Sequence, residues 1–191
     1  MIKTSITMKN KMIYRAMALA VSTSVLLFSC SDDDDPDPIN EEEVITTMNV
    51  TLTGTGSVVT LQSQDLDGDG PNAPNITVSG SLAANSSYSG SIELLNEMES
   101  PAEDITEEVA EEDDEHQFFF TTGGAISGVD YNDMDGDGNP LGLAFTLTTG
   151  DAGSGSLMIT LRHEPTKPND GTLAGAGGET DIAQSFTVTV E

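Results

Sequence analysis

Thr47-Met48-Asn49-Val50-Thr51-Leu52-Thr53 decides the fold class. Met48, Val50 and Leu52 alternate with Asn49 and threonines. Successive side chains of an extended strand point to opposite faces, so this stretch has one apolar and one polar face. The same period of two recurs downstream. Leu141, Leu143, Phe145 and Leu147 alternate with Gly142, Ala144, Thr146 and Thr148. Leu157, Ile159 and Leu161 alternate with Met158, Thr160 and Arg162, and Phe186, Val188 and Val190 with Thr187 and Thr189. Weaker strand patterns lie at 57–63, 75–79, 88–95, 117–121 and 125–131. Glycine- and aspartate-rich turns separate them, as at Thr53-Gly54-Thr55-Gly56, Asp67-Gly68-Asp69-Gly70, Asp137-Gly138-Asn139-Pro140 and Gly150-Asp151-Ala152-Gly153. Short strands with regular turns predict an all-β, immunoglobulin-like antiparallel sandwich of about eight to nine strands. Residues 44–191 suit one domain with one core. The chain has no Trp, so Leu, Val, Ile and the Phe118–Phe120 group must fill that core.

One segment departs from this period. Ser100-Pro101-Ala102-Glu103 carries the signs of a helix start: Ser as N-cap, Pro at the first helical position and Glu as capping partner. Ala102, Ile105 and Val109 then form an apolar stripe. A helical insertion over about 101–113 is expected, lying across a sheet edge or an open end of the sandwich. The acidic run Glu111–Glu115 opposes the helix dipole, so the helix should end near residue 112.

Charge limits the function. The 191 residues carry 33 Asp and Glu against 6 Lys and Arg, for a net charge of −27. Four of those cations, Lys3, Lys9, Lys11 and Arg15, precede residue 30, where no acid occurs. Nucleic-acid binding needs a basic face and is excluded. Docking on an anionic bilayer through the protein surface is disfavoured for the same reason.

The basic start is followed by the apolar run Ala16–Phe28, too short for a spanning helix of about 20 residues, so 1–29 is expected to be a signal peptide. Cys30 is the only cysteine, in Leu27-Phe28-Ser29-Cys30. This resembles the bacterial lipobox, which implies lipidation of Cys30 and a membrane partner reached through the lipid. Residues 30–43 then form an acidic tether that opens Ser31-Asp32-Asp33-Asp34-Asp35-Pro36-Asp37-Pro38. Like charges and prolines keep such a segment extended. It also resembles the acidic export run that follows the lipidated Cys in lipoproteins of the Bacteroidota. That resemblance implies an outer-membrane location facing the cell exterior.

Two constellations can carry chemistry. Asp65-Asp67-Asp69-Gly70 and Asp133-Asp135-Asp137-Gly138 each alternate carboxylates on a turn, a pattern that can converge on Ca²⁺, which takes about six to eight oxygens. The twelfth loop position is Ile76 in one and Ala144 in the other, so neither is an EF-hand, and a calcium site would need further ligands such as Asp130. The other reading is that Asp and Gly are what hairpin tips are made of. The second constellation is His116 and His163, each beside a Glu (Glu115 and Glu164). Two imidazoles with carboxylates suit Zn²⁺ or Cu²⁺. The alternative is two histidines that cap or pack at strand ends, because a spacing of 47 residues carries no information about convergence. No nucleophile elbow, phosphate loop or His-Glu-x-x-His is present, and a non-enzymatic role is expected.

Several further stretches matter together: Asp65-Leu66-Asp67-Gly68-Asp69-Gly70, Leu82-Ala83-Ala84-Asn85, Glu99-Ser100-Pro101-Ala102-Glu103-Asp104-Ile105, Asp114-Glu115-His116-Gln117, Leu161-Arg162-His163-Glu164-Pro165 and Gly177-Gly178-Glu179-Thr180-Asp181-Ile182. They resemble a family of small flavobacterial surface lipoproteins, often labelled type 1 periplasmic binding fold superfamily proteins. The resemblance implies location and a single fold unit, and no established activity. The fold in that label is two α/β lobes of roughly twice this length, whereas the period of two here points to all-β. The expected function is a non-catalytic surface binding or accessory module with the capacity to hold a metal, and with an outer-membrane transporter or a surface ligand as partner. The alternatives are a metal-free adhesion or structural module and a hydrolase.

Overall fold

A computed structural model describes residues 43–54, 56–68 and 70–191. The expectations for the signal peptide, Cys30 and most of the tether lie outside the described residues, as does Asp69. Among the described residues there are ten strands: β1 (Thr47–Gly54), β2 (Ser57–Gln64), β3 (Asn75–Val78), β4 (Ser87–Asn96), β5 (Glu103–Asp104), β6 (His116–Gly124), β7 (Ile126–Tyr131), β8 (Ala144–Thr149), β9 (Gly153–His163) and β10 (Glu179–Val190). They form two antiparallel sheets. The larger runs β3-β2-β1-β4-β8-β7, with the two-residue β5 paired to β4. The smaller runs β10-β9-β6. The expected all-β sandwich is what the chain forms, with β5 added to the anticipated strands.

The alternation explains the layers. Met48, Val50 and Leu52 of β1 are fully buried, as are Leu61, Leu94, Phe145 and Leu147 of the same sheet. Leu157, Ile159 and Leu161 of β9, Phe118 of β6 and Phe186 of β10 are also fully buried and belong to the same apolar cluster. Burying each such side chain contributes about 1.5–3 kcal/mol.

Two expectations need correction. The helix, α1, spans only Ile105–Glu111, and Asp104 rather than Ser100 is its N-cap, accepting a hydrogen bond from Thr106 N at 3.0 Å. Residues 103–104 are held extended against Leu95 and Asn96 of β4, so a helix cannot begin at Pro101. Ala102 is exposed, and the stripe reduces to Ile105 and Val109. Thr106 Oγ1 accepts a hydrogen bond from Leu94 N at 2.9 Å, tying α1 to β4. A one-turn helix, α2 (Leu173–Ala176), lies between β9 and β10.

The second correction concerns Leu141–Leu143, which read as the start of a strand. Leu141 O accepts a hydrogen bond from Phe118 N of the small sheet at 2.7 Å. Leu143 O accepts one from Ile92 N of the large sheet at 2.9 Å. The chain therefore crosses from one sheet to the other at Gly142, which has φ +101°, and β8 begins only at Ala144. A Cβ on Gly142 would lie 2.8 Å from Phe118 Cβ, so both the backbone angle and the space demand glycine.

Candidate metal centre

The inward face of β9 reads Leu157, Ile159, Leu161, His163, so His163 occupies the position where the next core residue would fall. His116 does the same on β6, one step before Phe118. The two are direct partners in the β6–β9 register. Their rings stack with centroids 4.7 Å apart and planes 29° apart, and both residues are buried. The sequence placed both histidines at element ends but held no clue to this pairing.

Two carboxylates complete the cluster, and neither was among the expected ligands. The sequence pattern assigns Glu43 to the end of the solvated tether. Its side chain is instead only 7% exposed, so the folded domain begins at least one residue before 44. Glu43 Oε1 stands 3.0 Å from His116 Nε2, and Oε2 stands 3.7 Å from His163 Nδ1. Asp181 lies on β10, where the register with β9 shifts between Thr180 and Ile182. It is the extra residue of a β-bulge, a device that re-aims one side chain. Its carboxylate is 1% exposed, with Oδ2 4.0 Å from His116 Nε2 and Oδ1 3.9 Å from His163 Nδ1. One ligand atom from each of Glu43, His116, His163 and Asp181 lies within 4.8 Å of the other three. A tetrahedral Zn²⁺ with bonds of about 2.0–2.1 Å separates its ligands by about 3.3 Å, so a modest contraction would close these four around an ion.

The surroundings orient the site. His116 Nδ1 faces the carbonyl of Glu112 at 3.1 Å, which keeps a proton on Nδ1 and makes Nε2 the nitrogen that meets either a metal or a second proton between it and Glu43. Lys167 Nζ donates to His116 O and Asp113 O, each at 2.6 Å, and to Asp135 Oδ2 at 3.1 Å. Burial disfavours the charged form of His116, but the adjacent Glu43 carboxylate, the Glu112 carbonyl and Asp181 outweigh it and hold its pKa above the ordinary value. Burial alone would raise Glu43; contact with His116 and the charges of both histidines bring it below the usual carboxylate range. Glu43 Oε2 is buried and accepts no hydrogen bond among the described residues.

The remaining expected residues divide between two places. Glu164 and Glu115 flank His163 on its outer side, with Glu115 Oε2 3.7 Å from His163 Nε2. The described residues of the Asp-rich loops are not in the four-residue cluster and mostly engage their own turns; Asp135 meets the cluster only through Lys167, which also donates to His116 O. Asp135 Oδ1 accepts from Asp137 N, Asn139 N and Asn139 Nδ2, and its Oδ2 from Asn139 Nδ2 and Lys167. Burial opposes its charge, but the Asn139 donors and Lys167 prevail and lower its pKa to about 2. Asp133 accepts from Gly142 N at 2.7 Å and Ala144 N at 2.9 Å, one bond per oxygen, and so shapes the crossing at Gly142. Asp137 and Asp130 are exposed. In the first loop Asp67 Oδ2 accepts from Asn72 Nδ2 at 2.6 Å, and Asp65 N donates to Thr46 O. The hairpin-tip reading accounts for these contacts. Beside the histidine cluster, a cleft of about 420 Å³ opens between the chain leading into β1, the first Asp-rich loop and the start of β10, and Glu43, Asp65 and Asp181 all line it.

No family model, curated protein or solved structure matches this chain.

Proposed function

We propose that this domain is a binding module for a divalent transition metal, Zn²⁺ or Cu²⁺, held by Glu43, His116, His163 and Asp181. The observation that carries the reading is the donor set: two stacked imidazoles and two buried carboxylates, drawn from four separate segments onto one point. Two carboxylates with two neutral imidazoles carry −2, which a divalent ion neutralises. Without an ion, that charge is buried at a cost of several kcal/mol unless protons compensate it. Imidazole and carboxylate suit Zn²⁺ and Cu²⁺ better than Ca²⁺, which prefers an all-oxygen shell. Four protein ligands fill a tetrahedral shell and leave no position for a reactive water, which favours a binding role over a catalytic one. With the sequence expectation of a lipid on Cys30, the module would work at the outer membrane, facing outward, as an accessory to a transporter or a surface ligand.

A second reading is favoured by the 3.0 Å approach of Glu43 to His116. In it the cluster is a metal-free ion-pair clamp, with protonated imidazole in place of the metal. Calorimetric titration of the chelator-stripped protein with Zn²⁺ and with Cu²⁺ separates the two. One equivalent bound, and lost in His116→Ala, supports the metal centre. A flat titration with both ions leaves the clamp.

A further inference from the structure

His163 presents its two ring nitrogens to two different sets of carboxylates. Nδ1 faces the buried pair, 3.7 Å from Glu43 Oε2 and 3.9 Å from Asp181 Oδ1. Nε2 faces outward, 3.7 Å from Glu115 Oε2, beyond hydrogen-bonding distance. Glu115, Glu164 and His163 form a second group whose ligand atoms lie within 4.8 Å of one another. Glu115 and Glu164 are held side by side because Glu164 N donates to Glu115 O at 2.7 Å, directly beyond the His116–His163 pair. The two groups differ sharply in exposure. The Glu115 side chain is 52% exposed and Glu164 is exposed, while the inner carboxylates are 7% and 1% exposed.

We infer that Glu115, Glu164 and His163 Nε2 form an outer loading station, which captures a divalent ion from solvent and passes it to the inner centre. The inference rests on the metal-binding reading of that inner centre. Exposed carboxylates exchange water for metal readily and attract cations from a distance. The inner ligands offer a drier environment in which the same charges hold an ion more strongly. The two stations exclude one another. A neutral imidazole has one lone pair, so His163 binds through Nε2 or through Nδ1. Inward transfer moves the ion from Nε2 to Nδ1, and the ring proton moves from Nδ1 to Nε2. No net proton is taken up or released. The station therefore changes the rate of binding and leaves the stoichiometry at one ion per chain.

Stopped-flow mixing of the chelator-stripped protein with Cu²⁺, followed by absorbance, tests this. In the double variant Glu115→Gln, Glu164→Gln, the association rate should fall about tenfold. Dissociation should slow by the same factor, because the ion leaves by the same route, so the equilibrium affinity should stay within about twofold. The control is Glu111→Gln, Asp114→Asn, which removes the same charge from exposed neighbouring positions; its rates should change by less than about twofold. An unchanged association rate in the first variant would overturn the station and direct the ion through the cleft beside Glu43. Equal slowing in both variants would reduce it to a general surface field, and two ions per chain would overturn the exclusion. Absence of Cu²⁺ binding in the unaltered protein is a different result, since it removes the inner centre itself.

Discussion

His116 and His163 face each other as a register pair of β6 and β9, with stacked rings at 4.7 Å. Each continues an apolar face by one residue and so closes the core with a polar end. Glu43 reaches this pair from the segment before β1 and Asp181 from a bulge in β10. The cluster thus ties the small sheet to the segment that leads into β1 of the large one.

Metal should stabilise the fold. At about 100 times Kd, Zn²⁺ should add about 2.7 kcal/mol. For a domain of this size that raises Tm by roughly 5–10 °C, and a chelator should reverse the rise. Differential scanning calorimetry checks it. His116→Ala and Asp181→Ala should each abolish the increment; a full increment in either would remove that residue from the centre.

Lys167 should matter to the metal although it does not touch it. It donates to the carbonyl of His116 and pairs with buried Asp135. Lys167→Met should weaken Zn²⁺ binding by about 10–100-fold, as loss of an outer supporting group does. It should also destabilise the metal-free fold by about 3 kcal/mol, because Asp135 is left without its cation. Chemical denaturation and calorimetric titration read the two effects separately.

Asp135 should give an acid-labile contribution to stability. Its folded pKa of about 2 lies below the ordinary aspartate value of 3.8, so the charged form is favoured by folding. The contribution is complete above about pH 5 and disappears as pH falls toward about 2, with a total of roughly 2 kcal/mol. Urea melts between pH 5 and pH 2 should show this loss in the unaltered protein, and Asp135→Asn should remove most of it.

Gly142→Ala should destabilise the domain by about 2 kcal/mol or more. The new Cβ meets Phe118, and the φ of +101° is unsuited to alanine. The variant should lower the denaturation midpoint without changing the m-value. An unchanged midpoint would show that the crossing between the sheets can relax.

The sheets were legible because burial writes itself as a period of two, most plainly at Leu157, Ile159 and Leu161. That signal could not anticipate where a strand stops. Leu141 and Leu143 keep the period while the chain changes sheets at Gly142. The helix was legible as an element, but its start was misplaced because Ser100-Pro101 imitates a cap and the pairing of Glu103–Asp104 with β4 is a long-range contact. His116 and His163 stood out as candidates by residue type alone. Their convergence depends on strand register, which spacing does not encode. Glu43 was hidden among the acids of the tether, and Asp181 in a stretch ahead of the recognisable alternation at Phe186. The break of alternation around Thr180-Asp181-Ile182 was the one local sign of a bulge. The Asp-rich loops drew attention because turn formation and calcium binding favour the same residues.

The position of Glu43 also has a mechanical meaning. Tension delivered along the chain from its N-terminal side reaches Glu43 before it reaches β1. Among the described residues the cluster is the first point of resistance, and β1, hydrogen-bonded on both flanks to β2 and β4, is the second. An ion seated there would act as a strain relief, keeping a pull on the leading segment from peeling open the middle of the large sheet.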